Sequence, residues 1–173
     1  MNRRWKGRVD PTSVKFVGFF FVLVLALTLL IQVAWVDTNI IGPYTEALTR
    51  IGGRLLGLFG YQVQVHGTLI RQGTFAVDIR RGCDGVVASI LLISACLAYP
   101  FSWRDRLLGT AAGYGLIFVL NMIRIVGLFA IGVDGSIQTF NFFHTYVSQF
   151  AVIALTMVFW VFWASKRAVV AGR

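Results

Sequence analysis

Four apolar segments, each long enough to cross a lipid bilayer as a helix, are the feature that most constrains the fold of this 173-residue chain. They cover residues 15–36, 83–101, 107–133 and 145–164. A hydrocarbon core of about 30 Å requires about 20 helical residues, a length that each segment meets closely. With 57% of its residues apolar, the chain also carries more apolar surface than a soluble domain of this size can bury. We therefore predict an all-α integral membrane protein with about four transmembrane helices, forming a single polytopic domain over residues 1–173.

The distribution of basic residues predicts the orientation of these spans. Of the 16 lysines and arginines, ten lie in the two terminal segments and the loop 101–106, whereas five lie in the longer segment 37–82. Loops rich in Lys and Arg remain cytoplasmic, so both termini are predicted in the cytoplasm and 37–82 on the outer side of the cell inner membrane. The first segment is expected to stay as an anchor, because its apolar core exceeds that of a signal peptide. Membrane topology thus accounts for the net charge of +9. We therefore predict the lipid bilayer as a partner of this chain and do not predict nucleic-acid binding.

The outer loop 37–82 contains two local patterns. In its first half, apolar residues recur at helical spacing, which predicts an amphipathic helix lying on the outer membrane surface. These residues are Tyr44, Leu48, Ile51, Leu55 and Leu58. The stretch "YQVQVHGTLIRQGTFAVDI" then alternates apolar and polar residues on both sides of a part containing Gly67 and Gly73. This alternation predicts a short β-hairpin of two strands before the second span.

Three polar residues from three predicted spans reach one depth in the membrane. Cys83 begins the second span and His144 begins the fourth, both at the outer boundary. Arg124 lies roughly 25 Å along the third span from its cytoplasmic end, at about 1.5 Å per residue. A thiol nucleophile, an imidazole that moves its proton and a cation that stabilises a thiolate or an oxyanion can together perform acyl transfer through a thioester. Asn121 shares the helical face of Arg124, and we expect the two to share a partner inside the bundle.

Each of these residues also has a structural interpretation. A cysteine in a span is most often a packing residue, which is our interpretation of Cys96, whereas the polar surroundings of Cys83 leave both roles open. Arg124 could extend to the lipid headgroups, and an isolated histidine such as His144 is most often interfacial. His66 is interpreted as a loop residue.

Two further patterns bear on packing and on metals. Gly109 and Gly113 form a GxxxG sequence, which indicates close helix packing. Two histidines and two distant cysteines have no zinc-site spacing. The sequence therefore predicts neither a metal nor a cofactor.

Three motifs together resemble the signatures of the exosortase/archaeosortase family of membrane transpeptidases. They are "RGCDGVVASILLI", with a glycine two residues after the cysteine, "NMIRIVGL", with an N-x-x-R pattern, and "FFHTYVSQF", with a histidine at the start of the last span. The resemblance covers residues 40–164. It implies that Cys83 is the nucleophile, His144 the general acid/base and Arg124 the electrostatic stabiliser. With fewer spans than the larger bacterial exosortases, the chain is similar to a compact subgroup such as exosortase H.

The resemblance also implies a class of substrates. Family members process exported proteins that end in a short motif, a transmembrane helix and a basic tail, and they transfer the acyl group to an acceptor at the cell surface, whose identity is unknown here. The residues by themselves leave two other classes open. One is a non-enzymatic membrane scaffold or assembly subunit, and the other is a small transporter or a thiol-dependent redox protein, which the lack of a CxxC pair disfavours.

Overall fold

The computed structural model of this chain is mostly helical and describes residues 11–171, with side chains over residues 14–167. The helices are α1 (Pro11–Leu30), α2 (Ala34–Val36), α3 (Gly42–Leu58), α4 (Val86–Ala98), α5 (Trp103–Asp134), α6 (Ile137–Phe142) and α7 (Ser148–Ala171). Two π-helical turns, Asp37–Ile41 and Phe143–Val147, join α2 to α3 and α6 to α7. The strands are β1 (Gln64–His66), β2 (Leu69–Gln72) and β3 (Phe75–Asp78). Five of the cations used to predict orientation lie outside the described residues: Arg3, Arg4, Lys6, Arg8 and Arg173.

Two helices in the described part of the chain are long and apolar enough to cross a membrane. They are Trp103–Asp134 and Ile137–Arg167, which contain the predicted third and fourth spans and extend beyond them. A third span is counted if Val14–Leu30 and Ala34–Leu58, which meet at a bend of 73°, form one span. The chain is therefore a helical membrane protein, but four separate spans are not confirmed.

The predicted second span, 83–101, is shorter than expected. Its helix α4 has 13 residues, or about 20 Å at 1.5 Å per residue, against a hydrocarbon core of about 30 Å. The helix begins only after Gly85, whose φ of +78° is left-handed, and it ends before Pro100, since Tyr99 is already extended. Apolar residues continue past the C-terminal end as far as Phe101, whereas the helix itself stops at Ala98.

The first helices also differ from the prediction. Helix α1 ends at Leu30 rather than at residue 36, and the chain is helical again from Ala34, so residues 37–43 are not a loop. The amphipathic helix is present as α3; Leu48 on its apolar face is buried within the protein, but Leu58 is 82% exposed. The buried face instead includes Gly52, where an added Cβ would lie 2.8 Å from Cγ2 of Ile125 in α5. Close approach to α5, rather than apolarity alone, therefore sets which face of α3 is inside.

The segment predicted as a two-stranded hairpin forms a three-stranded antiparallel sheet in the order β1-β2-β3. Gly67 and Gly73 each occupy a separate tight turn with φ of +58° and +59°, so the residues between them become β2. His66, interpreted as a loop residue, is the last residue of β1 and pairs with Leu69.

Two buried clusters hold these elements together. The first joins α3, the sheet and α5, and includes Leu48, Ile70 and Phe129. The second joins α4, α5 and α7 around Leu92 and Cys96, which have no exposed surface. The packing interpretation of Cys96 is therefore confirmed.

The GxxxG sequence lies where α5 meets its neighbours, which makes Gly113 a sensitive position. A Cβ there would lie 2.8 Å from Phe159 of α7 and closer still to Leu92 of α4. We expect Gly113→Ala to destabilise the fold by about 1–3 kcal/mol, as overpacking does. The apparent melting temperature in detergent, measured by size-exclusion chromatography after heating, should fall by several degrees.

Gly115 offers a matched control for this prediction in the same helix. Apart from the adjacent backbone of α5, no atom of the described residues would lie within 4 Å of a Cβ at Gly115, so Gly115→Ala should leave the melting temperature unchanged or raise it. Equal melting temperatures for the two variants would show that α4, α5 and α7 do not meet as closely as described.

Candidate active site

Cys83 lies in the tight connection between β3 and α4. Its backbone N–H donates to the carbonyl oxygen of Arg80 at 2.8 Å. The preceding Gly82 has φ of +90° and Gly85 has φ of +78°, conformations that glycine adopts without a steric penalty. The connection therefore reverses direction at this point and places the thiol beside α5.

The sequence predicts that Cys83 begins the second span, but the thiol does not lie at the N-terminus of the following helix. Cys83 lies three residues ahead of Val86, the first residue of α4. The carboxylate of Asp84 instead accepts a hydrogen bond from the Val86 N–H at 3.0 Å. Asp84 thus satisfies a free N–H of the first turn, and any stabilisation of a Cys83 thiolate must come from other groups.

The three residues predicted from the sequence lie in direct contact. The Sγ atom of Cys83 is 3.0 Å from Nε2 of His144. An Nη2 atom of Arg124 lies 3.5 Å from the same Sγ. The thiol therefore lies beside both an imidazole and a guanidinium. The thiol comes from a turn, the guanidinium from α5, and the imidazole from the helix that contains α6 and α7.

His144 lies within this last helix rather than at its start. The helix begins at Ile137, eight residues before the start of the predicted span at residue 145, and His144 belongs to the π-helical turn. The Phe140 ring stacks on the imidazole with centroids 5.5 Å apart and planes 10° from parallel. This stacking restrains the ring so that Nε2 points toward Cys83. Single π-helical turns occur frequently at functional sites.

Arg124 is buried rather than extended to the membrane surface. Only 8% of its surface is exposed, which contradicts the interpretation that it reaches the lipid headgroups. Its Nη1 donates to the Gly82 carbonyl at 2.8 Å and its Nε to the Ser148 hydroxyl at 3.0 Å. These two bonds fix the guanidinium plane, and Nη2 is left facing the thiol.

Burial and charge act in opposite directions on the thiol. Burial raises the pKa of Cys83, and the guanidinium of Arg124 opposes this rise only in part. A raised pKa favours the protonated thiol, which needs a base within reach to become a nucleophile. The imidazole of His144 lies at hydrogen-bonding distance for this purpose.

Comparison with protein families bears directly on this cluster. A family model described as transmembrane exosortase matches residues 12–163, which include Cys83, Arg124 and His144. The chain belongs to the transmembrane exosortase family. Exosortases are membrane cysteine transpeptidases, so the expected family is confirmed. Searches of curated proteins and of solved structures gave no match.

A second polar layer lies behind the cysteine turn of this exosortase. Asp84 and Asn121 are each 1% exposed, and a Cβ on Gly85 would lie 3.7 Å from Cγ of Asn121. Within residues 14–167, neither amide atom of Asn121 has a hydrogen-bond partner, so the partner that it was expected to share with Arg124 is not found. The Tyr44 hydroxyl donates to the Asp84 carbonyl at 3.3 Å and ties α3 to the turn.

Three residues that contact or adjoin the cluster of Cys83, Arg124 and His144 were not identified from the sequence. Ser148 binds Arg124 and lies four residues after His144, a spacing that places both on one helical face. Phe140 lies four residues before His144, so the same spacing places these two residues on one helical face. Asp84 precedes an apolar run, and aspartate is a typical helix-capping residue. This pattern could have indicated that Asp84 binds a backbone N–H of the first turn of α4.

Proposed function

We propose that this chain is a membrane cysteine transpeptidase that cleaves the C-terminal sorting signals of exported proteins and transfers them to a surface acceptor. The observation that carries the proposal is the 3.0 Å contact between the Cys83 thiol and the His144 imidazole beside a buried guanidinium. Membership in a family of cysteine transpeptidases supports it independently of that geometry.

In the acylation step, Nε2 of His144 takes the proton of the Cys83 thiol as Sγ attacks the carbonyl carbon of the scissile peptide. The carbonyl π electrons move to oxygen and give a tetrahedral oxyanion. When the C–N bond breaks, the same imidazole returns the proton to the leaving amine. The products are a thioester on Cys83 and a released C-terminal segment.

The second half of the reaction regenerates the thiol. The acceptor nucleophile gives its proton to His144 as it attacks the thioester carbonyl, and the C–S bond then breaks. Sγ leaves as a thiolate and takes the proton back from the imidazolium. Water in place of the acceptor would give hydrolysis by the same path.

Arg124 is proposed to stabilise the negative charge that develops in both halves. Two of its nitrogens are already bonded to Gly82 and Ser148, whereas Nη2 lies 3.5 Å from Sγ. The carbonyl oxygen attached to the attacked carbon would lie within reach of this nitrogen. A preorganised donor in a buried site can stabilise an oxyanion by several kcal/mol, about 2.7–4 for one such donor.

We propose that the site faces the outside of the inner membrane, with both termini cytoplasmic. Arg124 lies 21 residues after Trp103, or about 30 Å along α5, so it is far from the basic loop of Arg104 and Arg106. A substrate with a transmembrane helix and a basic tail would hold its scissile bond at the same depth as Cys83. Fixing both reactants at one depth favours near-attack geometry.

Trapping the thioester tests the proposed chemistry. The chain would be co-expressed with an exported protein ending in a short motif, an apolar helix and a basic tail, and then denatured in acid. We expect mass spectrometry to find an acyl adduct on Cys83 that neutral hydroxylamine removes. A processed substrate without such an adduct would refute the thioester mechanism.

The second cysteine provides the control and allows the orientation to be tested. Cys96 is fully buried and should carry no adduct. In intact cells, a membrane-impermeant maleimide should label the half-buried Cys83 and leave Cys96 unlabelled. Labelling of Cys83 that requires permeabilised membranes would refute the proposed orientation without affecting the chemistry.

A further inference from the structure

Strand β3 forms a free edge of the sheet and leads directly into the cysteine turn. In the described part of the chain, the sheet has the order β1-β2-β3, so β3 pairs with β2 on one side only. Cys83 follows Asp78, the last residue of β3, by five residues. Asp78, Cys83 and His144 also line one small recess. The end of this edge strand therefore borders the candidate active site.

The register of the sheet identifies which backbone groups of β3 face away from β2. The Ile79 N–H donates to the Thr68 carbonyl at 2.9 Å, so these two residues form a hydrogen-bonded pair that continues the antiparallel ladder. Hydrogen-bonded and non-hydrogen-bonded pairs alternate along such a ladder. Ala76 and Asp78 therefore belong to non-hydrogen-bonded pairs, and their N–H and C=O groups point to the free edge.

These edge groups are not used by the rest of the fold. Within residues 14–167, no hydrogen bond to the backbone N–H or C=O of Ala76 or Asp78 is found. Ala76 is exposed, and the carboxylate of Asp78 accepts hydrogen bonds from Thr68 at 2.7 Å and from Arg80 at 2.6 Å. Since Thr68 directly precedes β2, this carboxylate is held on the paired side of β3. An edge strand whose backbone groups are unpaired can bind a further strand.

Strand β3 runs toward the membrane. Phe75, at its start, packs against Gly132 of α5, whereas Cys83, beyond its end, contacts Arg124 of the same helix. Gly132 lies eight residues after Arg124, or about 12 Å farther along α5 from the basic loop. A substrate whose membrane helix enters the bilayer from outside runs in the same direction just before that helix. A substrate segment beside β3 would therefore be parallel to it.

We propose that the substrate segment preceding the membrane helix adds to β3 as an extended, parallel strand. The proposal deepens the proposed function and rests on it, because this segment reaches Cys83 only if Cys83 attacks a sorting signal. The N–H and C=O groups of Ala76 and Asp78 would bond to the backbone of the segment and deliver its scissile carbonyl to Sγ. Backbone pairing of this kind supplies affinity independently of side chains and fixes the register of the peptide.

Proline at position 76 tests the backbone contact. Ala76→Pro removes an N–H that points to the edge, leaves the ladder to β2 intact and places the ring where the incoming carbonyl would bind. Single-turnover processing of the purified exported protein with a motif, an apolar helix and a basic tail should slow by about tenfold or more. Ala76→Val keeps the N–H and is the matched control, with the wild-type rate expected.

Alkylation of Cys83 by iodoacetamide shows whether each variant retains an intact site. In this reaction Sγ loses its proton and displaces iodide, and no strand pairing is involved. Mass spectrometry of the full-length, detergent-solubilised chain should give rates within about twofold of the wild type for Ala76→Pro and Ala76→Val. If Ala76→Pro departs further from the wild type, cross-linking decides the proposal by itself.

Cross-linking tests the extended conformation of the bound segment. Cys83→Ala stops cleavage, Ala76→Cys places a thiol beside the edge, and single cysteines are placed at successive substrate positions before the membrane helix. Diamide then oxidises neighbouring thiols to disulfides. Cross-links should form at every second substrate position, because side chains of a strand alternate between its two faces. Arg54→Cys, on the exposed surface of α3, replaces Ala76→Cys in the control and should give none.

Two results would overturn the proposal: wild-type processing by Ala76→Pro, or cross-links at Ala76→Cys that are absent or lack a period of two. Either can occur while substrate proteins still form a thioester on Cys83, and then only the strand proposal fails. Conversely, cross-links with a period of two but no thioester in cells would refute the transpeptidase mechanism and leave the edge of β3 as a peptide-binding site.

Discussion

Replacing Cys83 by alanine or by serine should abolish processing of the substrate protein. Alanine removes the nucleophile. Serine leaves a hydroxyl that is far less acidic than the thiol and is therefore a weaker nucleophile at the same position. We expect the loss to be at least about 1,000-fold, because loss of a covalent nucleophile removes the whole acyl-enzyme path. Immunoblotting for the mature substrate in cells that express each variant at the wild-type level measures it.

The chain contains its own control for this experiment. Cys96 is also a cysteine of the bundle, but it is fully buried among Ala88, Leu92 and Ile117. Cys96→Ala should retain processing and lose only some stability. If Cys83→Ala processes its substrate normally, the chain acts by non-enzymatic assembly instead.

Replacing Arg124 by glutamine should reduce processing by about 100–1,000-fold, the range found when a preorganised oxyanion donor is removed. Arg124→Lys should retain part of the activity, because a lysine keeps the charge but cannot reproduce the fork that binds Gly82 and Ser148 simultaneously. Single-turnover processing of a purified substrate in detergent measures the loss separately from expression.

The pH dependence of Cys83 alkylation separates an electrostatic role from a structural one. Arg124 lowers the pKa of this thiol against the effect of burial, so removing the guanidinium should raise that pKa. In Arg124→Gln, the rise of the iodoacetamide rate with pH should therefore occur at higher pH, and the rate at pH 7 should fall. Arg54→Gln, on the exposed surface of α3, is the matched control and should give the wild-type profile. Identical profiles for Arg124→Gln and the wild type would show that Arg124 only holds the turn.

The meeting of Cys83, Arg124 and His144 was predictable because membrane depth can be counted along a helix. Each residue rises by about 1.5 Å, so the distance of Arg124 from the basic loop follows from sequence position alone. The proposed roles then came from the chemistry of the three side chains and from the family resemblance. The partners of Arg124 inside the bundle were not predictable, because the Gly82 carbonyl and Ser148 reach it only in the folded chain.

The differences between the predicted and the observed fold have a common physical origin. The predictions were based on apolar composition, whereas the bounds of the helices and strands depend on backbone conformation. The apolar run after Cys83 looked like a full span, but Gly85 in a left-handed conformation delays the helix until Val86. Gly67 and Gly73 looked like one loop, but each makes its own turn and a third strand results.

The π-helical turn at Phe143–Val147 has a consequence for how the last helix is encoded. The Ser148 N–H bonds to the Phe143 carbonyl five residues back, so this turn contains one residue more than an α-helical turn. Each residue of an α-helix rotates the chain by about 100° about the helix axis. The extra residue therefore changes the direction in which the side chains before the turn point, relative to those of α7. Deleting one residue there would restore a regular apolar helix, still able to cross a bilayer, and would rotate His144 or the residues before it out of phase with α7. Membrane insertion of this helix thus depends on its composition, whereas the position of His144 beside Cys83 depends on its residue count.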